Sequence, residues 1–166
     1  MGYDEWELTV PDEIRGDSLW KMKAYRLSLF LVDISWQDVT KLTNDRRTRD
    51  LADQLYRSLG SICANIAEGY SRGTSKDRAR FYEYAFGSAR ETRGWYFQGK
   101  YILGKDLTSH RLQLLTQIIR LILTMVPQQR GRVLYENAMD YGTNNGEKTP
   151  GEIANRLGLP DDNPLP

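Results

Sequence analysis

The sequence predicts an all-α protein: an up-down-up-down four-helix bundle with an acidic N-terminal arm and a largely irregular C-terminal tail. Three observations carry this expectation. Four stretches between residues 18 and 130 repeat apolar side chains at the three- and four-residue steps of a helix. The connections between them are short, as in antiparallel bundles, and no stretch has the composition or alternation of a strand. The boundaries follow: an arm over residues 1–17, a bundle over 18–130 and a tail over 131–166.

In chain order, the arm contains Pro11, Gly16 and an alternation of Tyr3, Trp6, Leu8 and Val10 among acids, which reads as a short extended piece laid on the body. Ser18 is a candidate N-cap. Behind it Trp20, Ala24, Leu27, Leu31 and Ile34 share a face of a first helix that reaches about Trp36. The second helix begins between Asp45 and Asp50 and ends at or just after Gly69. Its seam of Leu51, Leu55, Leu59, Ile62 and Ile66 is core, and beside it runs a polar stripe of Gln54, Ser58, Ser61, Asn65 and Glu68.

Ser75 is the expected cap of a third helix from about Lys76 to Leu103, roughly 42 Å at the usual rise, with Phe81, Ala85, Ser88, Thr92 and Trp95 facing the core and Gly104 closing it. The fourth helix starts at Asp106, Thr108 or Ser109, carries the seam Leu112, Leu115, Ile119, Ile122 and Val126, and stops at Pro127. Glycine and proline then crowd the tail, where Thr149-Pro150-Gly151-Glu152 reads as the start of a short helix near 150–157.

Length and composition bound the function. The chain has 166 residues, one cysteine and a formal net charge of +1. A lone Cys63 forms no intrachain disulfide, and no apolar run is long enough to span a bilayer, so a soluble, cytoplasmic protein without membrane contact is expected. The near-neutral charge hides a division: from Lys41 to Arg132 there are 17 Lys or Arg against 8 Asp or Glu, whereas the flanks hold 6 against 14. A basic middle between acidic arms suits a polyanion, or arms that fold back to screen it.

Catalytic signals are sparse. His110 is the only histidine, which leaves no histidine-rich metal cluster, and the Glu-x-x-His elements of a bundle di-iron site are missing. No glycine-rich phosphate loop follows a strand. The expectation is a protein that is no enzyme and carries no metal or cofactor.

The cations say more. Arg72, Lys76, Arg78 and Arg80 gather at the start of the third helix, where the helix terminus already favours anions, and Tyr70, Phe81 and Tyr82 lie near enough in sequence to stack on bases. The plainer reading is a solvated basic cap partnered by Asp77 and Glu83. Further along, Phe86, Arg90, Arg93, Phe97 and Tyr101 fall broadly opposite the core face, beside Gly87 and Gly94. They read either as a subunit contact bordered by arginines or as scattered exposed aromatics.

The segment SICANIAEGYSRGTSKDRARFYEYAFGSARE, Ser61 to Glu91, resembles the signature of a bacterial four-helix-bundle family. That family includes proteins encoded in intervening sequences of large-subunit ribosomal RNA and the accessory variability determinant of diversity-generating retroelements. The matching positions are Asn65 to Gly69, Ser75-Lys76, Phe81, and Ala85, Gly87, Ser88 and Glu91. The resemblance implies a homopentameric, barrel-like ring and, for the retroelement branch, a basic surface that binds nucleic acid and a reverse transcriptase. Asn65 and Glu68 are then expected to form a buried hydrogen-bonded pair at the end of the second helix.

The leading expectation is a ring-forming accessory protein that binds RNA or DNA through Arg72, Lys76, Arg78, Arg80, Arg90 and Arg93 and assembles through Phe86, Phe97 and Tyr101. The alternative is a protein-interaction scaffold whose ring and tails dock a partner protein without nucleic acid.

Overall fold

A computed structural model describes residues 2–130; the tail, with its expected short helix near 150–157, lies outside the described residues. The described elements are α1 (Tyr3–Glu7), α2 (Asp12–Arg15), a 3-10 turn (Ser18–Lys21), α3 (Lys23–Asn44), a second 3-10 turn (Arg46–Thr48), α4 (Arg49–Tyr70), α5 (Ser75–Gln98), α6 (Lys100–Leu103) and α7 (Lys105–Arg130). Among the described residues there is no strand. The four long helices α3, α4, α5 and α7 form the bundle, each packed on the next and α3 also on α7.

The arm is helical, which corrects the extended reading. Tyr3 and Trp6 are three residues apart and so share a helix face; Trp6 is buried while Leu8 stays exposed. Trp6 packs on Phe30 and Trp20, with ring centroids 5.3 and 6.1 Å away, and its indole N–H donates to Asp33 Oδ2 at 2.8 Å. The arm's acids are used locally: Glu7 pairs with Arg26, Asp12 with Arg15, and Asp17 Oδ1 accepts from the Leu19 amide at 2.8 Å. Asp17 thus takes the cap expected of Ser18 and opens the 3-10 turn, and α3 itself begins at Lys23.

α3 runs eight residues past the expected end at Trp36. Its buried face continues through Ser35, Asp38 and Leu42. Two polar residues in that seam interrupt the apolar period, which is why the sequence pattern fades there. α4 follows its expected bounds closely, with Leu55, Leu59, Ile62 and Ile66 fully buried. α5 is capped by Thr74, whose Oγ1 accepts from the Asp77 amide at 3.1 Å, and it gives way at Gly99 to the short α6.

The core face of α5 is rotated from the expected one to Tyr82, Ala85, Ala89, Thr92 and Tyr96. Ala85 and Thr92 are common to both; Phe81, Ser88 and Trp95 lie on its shoulder, half-buried. α7 keeps its seam, with Leu115, Ile119, Ile122 and Val126 buried, and continues through Pro127 to Arg130. The helix therefore does not stop at Pro127 as expected: the proline lies inside α7, where it withholds an amide from the Leu123 carbonyl one turn earlier.

Two polar arrangements fix the helices. Between α4 and α5, Thr92 Oγ1 donates to Ser58 Oγ at 2.9 Å and Ser88 Oγ to Ser61 Oγ at 3.0 Å. Residue numbers rise on one helix as they fall on the other, so the pair is antiparallel. Across α3, α5 and α7, the buried Asp38 carboxylate accepts from Tyr96 Oη at 3.0 Å and from Arg111 Nε and Nη2 at 2.7 and 3.3 Å. The Tyr96 hydroxyl also meets Ser35 Oγ at 2.5 Å. Tyr96 turns inward, where hydrophobicity alone would have placed Trp95, because its phenol finds these partners. Burial pushes that phenol well above the ordinary tyrosine pKa, and the neighbouring Asp38 adds to the rise.

Candidate nucleic-acid interface

The corner between α4 and α5 is built by two helix ends. α4 runs to Tyr70 because Gly69 lets α5 approach: a Cβ at Gly69 would lie 2.7 Å from Tyr82 Cε1. The chain then turns through Ser71 to Gly73, and Thr74 starts α5. The first intrahelical bond of α5 runs from the Arg78 amide to the Thr74 carbonyl at 3.0 Å. The amides of Ser75 and Lys76 therefore lie ahead of the helix ladder, at its positive end.

The cations around this corner are exposed, with Arg78 half-buried. Arg72 forms an ion pair with Glu68, one helical turn earlier, and its guanidinium lies 4.7 Å from the Phe81 ring centroid. Arg78 folds back onto the turn, its Nη2 donating to the Arg72 carbonyl at 2.9 Å. Arg80 Nε donates to Tyr84 Oη at 2.7 Å. Lys76 has no hydrogen bond or ion pair among the described residues. Lys76, Arg80 and Tyr84 follow one another at four-residue steps and share a stripe of α5. Tyr70 and Tyr84 are exposed beside these cations.

The structure thus brings Arg72, Lys76, Arg78 and Arg80 together and separates them from Arg90 and Arg93, which lie roughly 15–20 Å further along α5 by helical rise. Arg90 stacks 4.1 Å from the Phe86 centroid, and Arg93 is half-buried. Phe97 and Tyr101 are exposed, and Lys100 Nζ lies 3.9 and 5.1 Å from their centroids. The α5 cations therefore divide into a corner group and an aromatic group.

The expected pairing of Asn65 with Glu68 does not form. Asn65 Nδ2 donates to the Ser61 carbonyl at 2.8 Å and to Ser61 Oγ at 3.0 Å, joining the hydroxyl contacts between α4 and α5. Glu68 is exposed and turns to Arg72. Asn65 and Glu68 are three residues apart and share a side of α4, but Asn65 is held back on Ser61 while Glu68 reaches forward to Arg72.

Sequence reading missed Asp38, Tyr96 and Arg111. A carboxylate in the middle of an otherwise apolar helix face was the available signal. Other ionisable groups are spoken for locally: Arg47 holds the Asp45 carboxyl down at about 2 through side-chain and amide hydrogen bonds. Burial pushes the Cys63 thiol up, away from the reactive thiolate. Among the described residues no group of three or more His, Cys, Asp or Glu is arranged to hold a metal ion, and no helix is long and apolar enough to cross a membrane.

Comparison with known proteins adds the family. The model of the 23S rRNA-intervening sequence protein family matches residues 20–124. The chain belongs to that family. A crystal structure from the S23 ribosomal protein family of Bacteroides thetaiotaomicron, of a protein of unknown function, has the same fold. It shares 23% identity with a TM-score of 0.57, over 62% of this chain and 97% of the other. No curated protein matches. The family segment contains α3, α4, α5, α6 and most of α7, and so includes both the corner and the Asp38 cluster. Helices α1 and α2 lie outside it.

Proposed function

We propose that the protein is a non-enzymatic accessory protein that assembles into a ring and binds RNA or DNA through the α4–α5 corner. The observation that supports this most is the corner itself, where Arg72, Lys76 and Arg80 stand exposed among Tyr70, Phe81 and Tyr84 at the amide end of α5. Cations of this kind bind phosphates without regard to sequence, and the aromatic rings add stacking on unpaired bases. Assembly through Phe86, Phe97 and Tyr101 would multiply the corner around a ring, so that many weak phosphate contacts act on one strand.

Fluorescence anisotropy with labelled single-stranded and duplex RNA and DNA, read as a function of salt, tests this. The expected result is tight binding at low salt with a steep linear fall of log affinity against log salt, abolished by the triple variant Arg72→Glu, Lys76→Glu, Arg80→Glu. Absence of binding at low salt, or binding that the triple variant leaves intact, overturns it. A reverse transcriptase as companion rests on the resemblance of Ser61 to Glu91 to a family that includes the retroelement branch; co-purification from the native host, with and without nuclease, checks that part.

A further inference from the structure

We infer that Arg72 is the residue that seats a phosphate at the α4–α5 corner, and that Glu68 is a built-in competitor for that seat. The inference rests on the proposed nucleic-acid reading and deepens it, by naming the contact that binding has to exchange. Glu68 lies in the last turn of α4 and Arg72 just past its end. The two form an ion pair, with the Glu68 side chain 47% and the Arg72 side chain 43% exposed. A pair this open to water is weak, and its carboxylate can be replaced by another anion.

What distinguishes Arg72 is how it is held. Its guanidinium lies over the Phe81 ring, 4.7 Å from the centroid. Phe81 belongs to α5, and it comes close to the end of α4 because Gly69 has no side chain: a Cβ there would lie 3.1 Å from Phe81 Cβ. The Phe81 ring is set in turn by Tyr84, which meets it edge to face at 5.9 Å and 90°, and Tyr84 Oη accepts from Arg80 Nε at 2.7 Å. A guanidinium resting on a ring keeps its N–H groups at the edge of its planar fork. Phe81 thus steadies the side chain, while Glu68 takes donors of the fork. A phosphate offers that fork two oxygens, as a carboxylate does, so one anion can replace the other without moving Arg72.

The other groups at the corner are placed differently. Arg78 donates from Nε and Nη2 to the Arg72 carbonyl at 3.3 and 2.9 Å and so supports the turn itself. Arg80 is bonded to a neutral phenol, which no anion has to displace. Two further acids nearby are engaged away from Arg72: Asp77 Oδ2 accepts from Thr74 Oγ1 at 2.7 Å, and Glu83 Oε2 accepts from Arg130 Nη2 at 2.7 Å. Glu68 is therefore the carboxylate that an incoming phosphate meets at Arg72. It occupies the fork in the free protein, and once displaced it remains within reach to repel the new anion. The corner consequently binds less tightly than its four cations alone would allow, and the restraint is localised in one side chain.

The test is fluorescence anisotropy with labelled single-stranded RNA and DNA at low salt, on the full-length chain and on the variants Glu68→Gln, Arg72→Gln and the two combined. Asp53→Asn is the control: Asp53 is an exposed acid of α4, roughly 22 Å from Glu68 by helical rise, so its variant makes the same change in net charge far from the corner. Glu68 and Arg72 are both exposed, and circular dichroism checks that each variant folds. Glu68→Gln is expected to bind about three- to fivefold more tightly than the unaltered chain, and Asp53→Asn to gain clearly less. In the Arg72→Gln background the gain from Glu68→Gln is expected to shrink to that of the control, because no fork is left to release. If Glu68→Gln gains no more than Asp53→Asn in a chain that binds, the competitor is overturned while the nucleic-acid reading stands. A gain of undiminished size without Arg72 overturns the assignment of the seat. If neither the unaltered chain nor Glu68→Gln binds at low salt, both readings are overturned.

Discussion

Two polar clusters of this bundle use the same side chains in opposite surroundings. Inside, Arg111, Asp38 and Tyr96 join three helices, with the Asp38 side chain 1% exposed and that of Arg111 12%. At the corner, Arg72 pairs with Glu68 and Arg80 with Tyr84, in water. A buried pair is held by strong low-dielectric attraction, and neither member can leave without stranding the other. An exposed pair contributes about 0–1 kcal/mol and exchanges freely with solvent or another anion. An arginine at the surface can trade its carboxylate for another anion, whereas an arginine bound from several sides belongs to the architecture.

The comparison can be broken most directly at Arg111. Replacing it with Met strands the Asp38 carboxylate, and an expected loss of about 3–5 kcal/mol in urea unfolding follows, with nucleic-acid affinity of the folded fraction unchanged. A double variant, Asp38→Leu with Arg111→Met, should recover most of that loss; no recovery would mean that the cluster does not act as an isolated pair.

At the corner the pattern reverses. Arg72→Glu, Lys76→Glu, Arg80→Glu should cost at least about 100-fold in affinity at low salt and reduce the salt slope, while stability changes by less than about 1 kcal/mol. Gly69→Ala lies between the two clusters in kind: its new methyl meets the Tyr82 ring, and about 1–3 kcal/mol of stability should be lost by thermal melting.

The smallest effect is that of pH. Burial holds the phenols of Tyr25, Tyr82 and Tyr96 above their ordinary range, and burial with the Glu7 hydrogen bond pushes Tyr3 up to about 12. Folded-state values above the unfolded one mean a contribution that is complete below about pH 10 and lost as pH rises beyond it, when unfolded tyrosines ionise first. Melting temperature should therefore fall between pH 10 and 12, and less steeply in Tyr96→Phe.

Much of the bundle was legible because its signals are redundant. The seams of α4 and α7 repeat for about four turns without a polar residue in them, so a single misjudged position changes nothing. α3 and α5 were misread where polarity enters the core. Ser35 and Asp38 hid the second half of α3, and on α5 the apolar pattern pointed to Phe81 and Trp95 where the buried positions are Tyr82 and Tyr96. Such pairings join residues some sixty positions apart, as Ser35 and Tyr96 show, and no local pattern reports them. Among the candidate site residues, the corner cations lie within a short stretch, Arg72 to Arg80, and so were found together. Arg90 and Arg93 were grouped with them by charge alone, although about three turns or more of α5 divide them from Arg80.

The hydroxyl contacts between α4 and α5 have a mechanical consequence. Ser58 with Thr92, and Ser61 with Ser88, tie two antiparallel rods at fixed rungs, and sliding one rod along the other would break both rungs at once. A load applied at the α4–α5 corner would therefore fall on both rungs together. At the far end of α5 the buried Gly99 leads the chain into α6, and a Cβ there would come within 3.1 Å of Leu42 Cδ2, so the close fit of α5 against α3 also depends on one missing methyl.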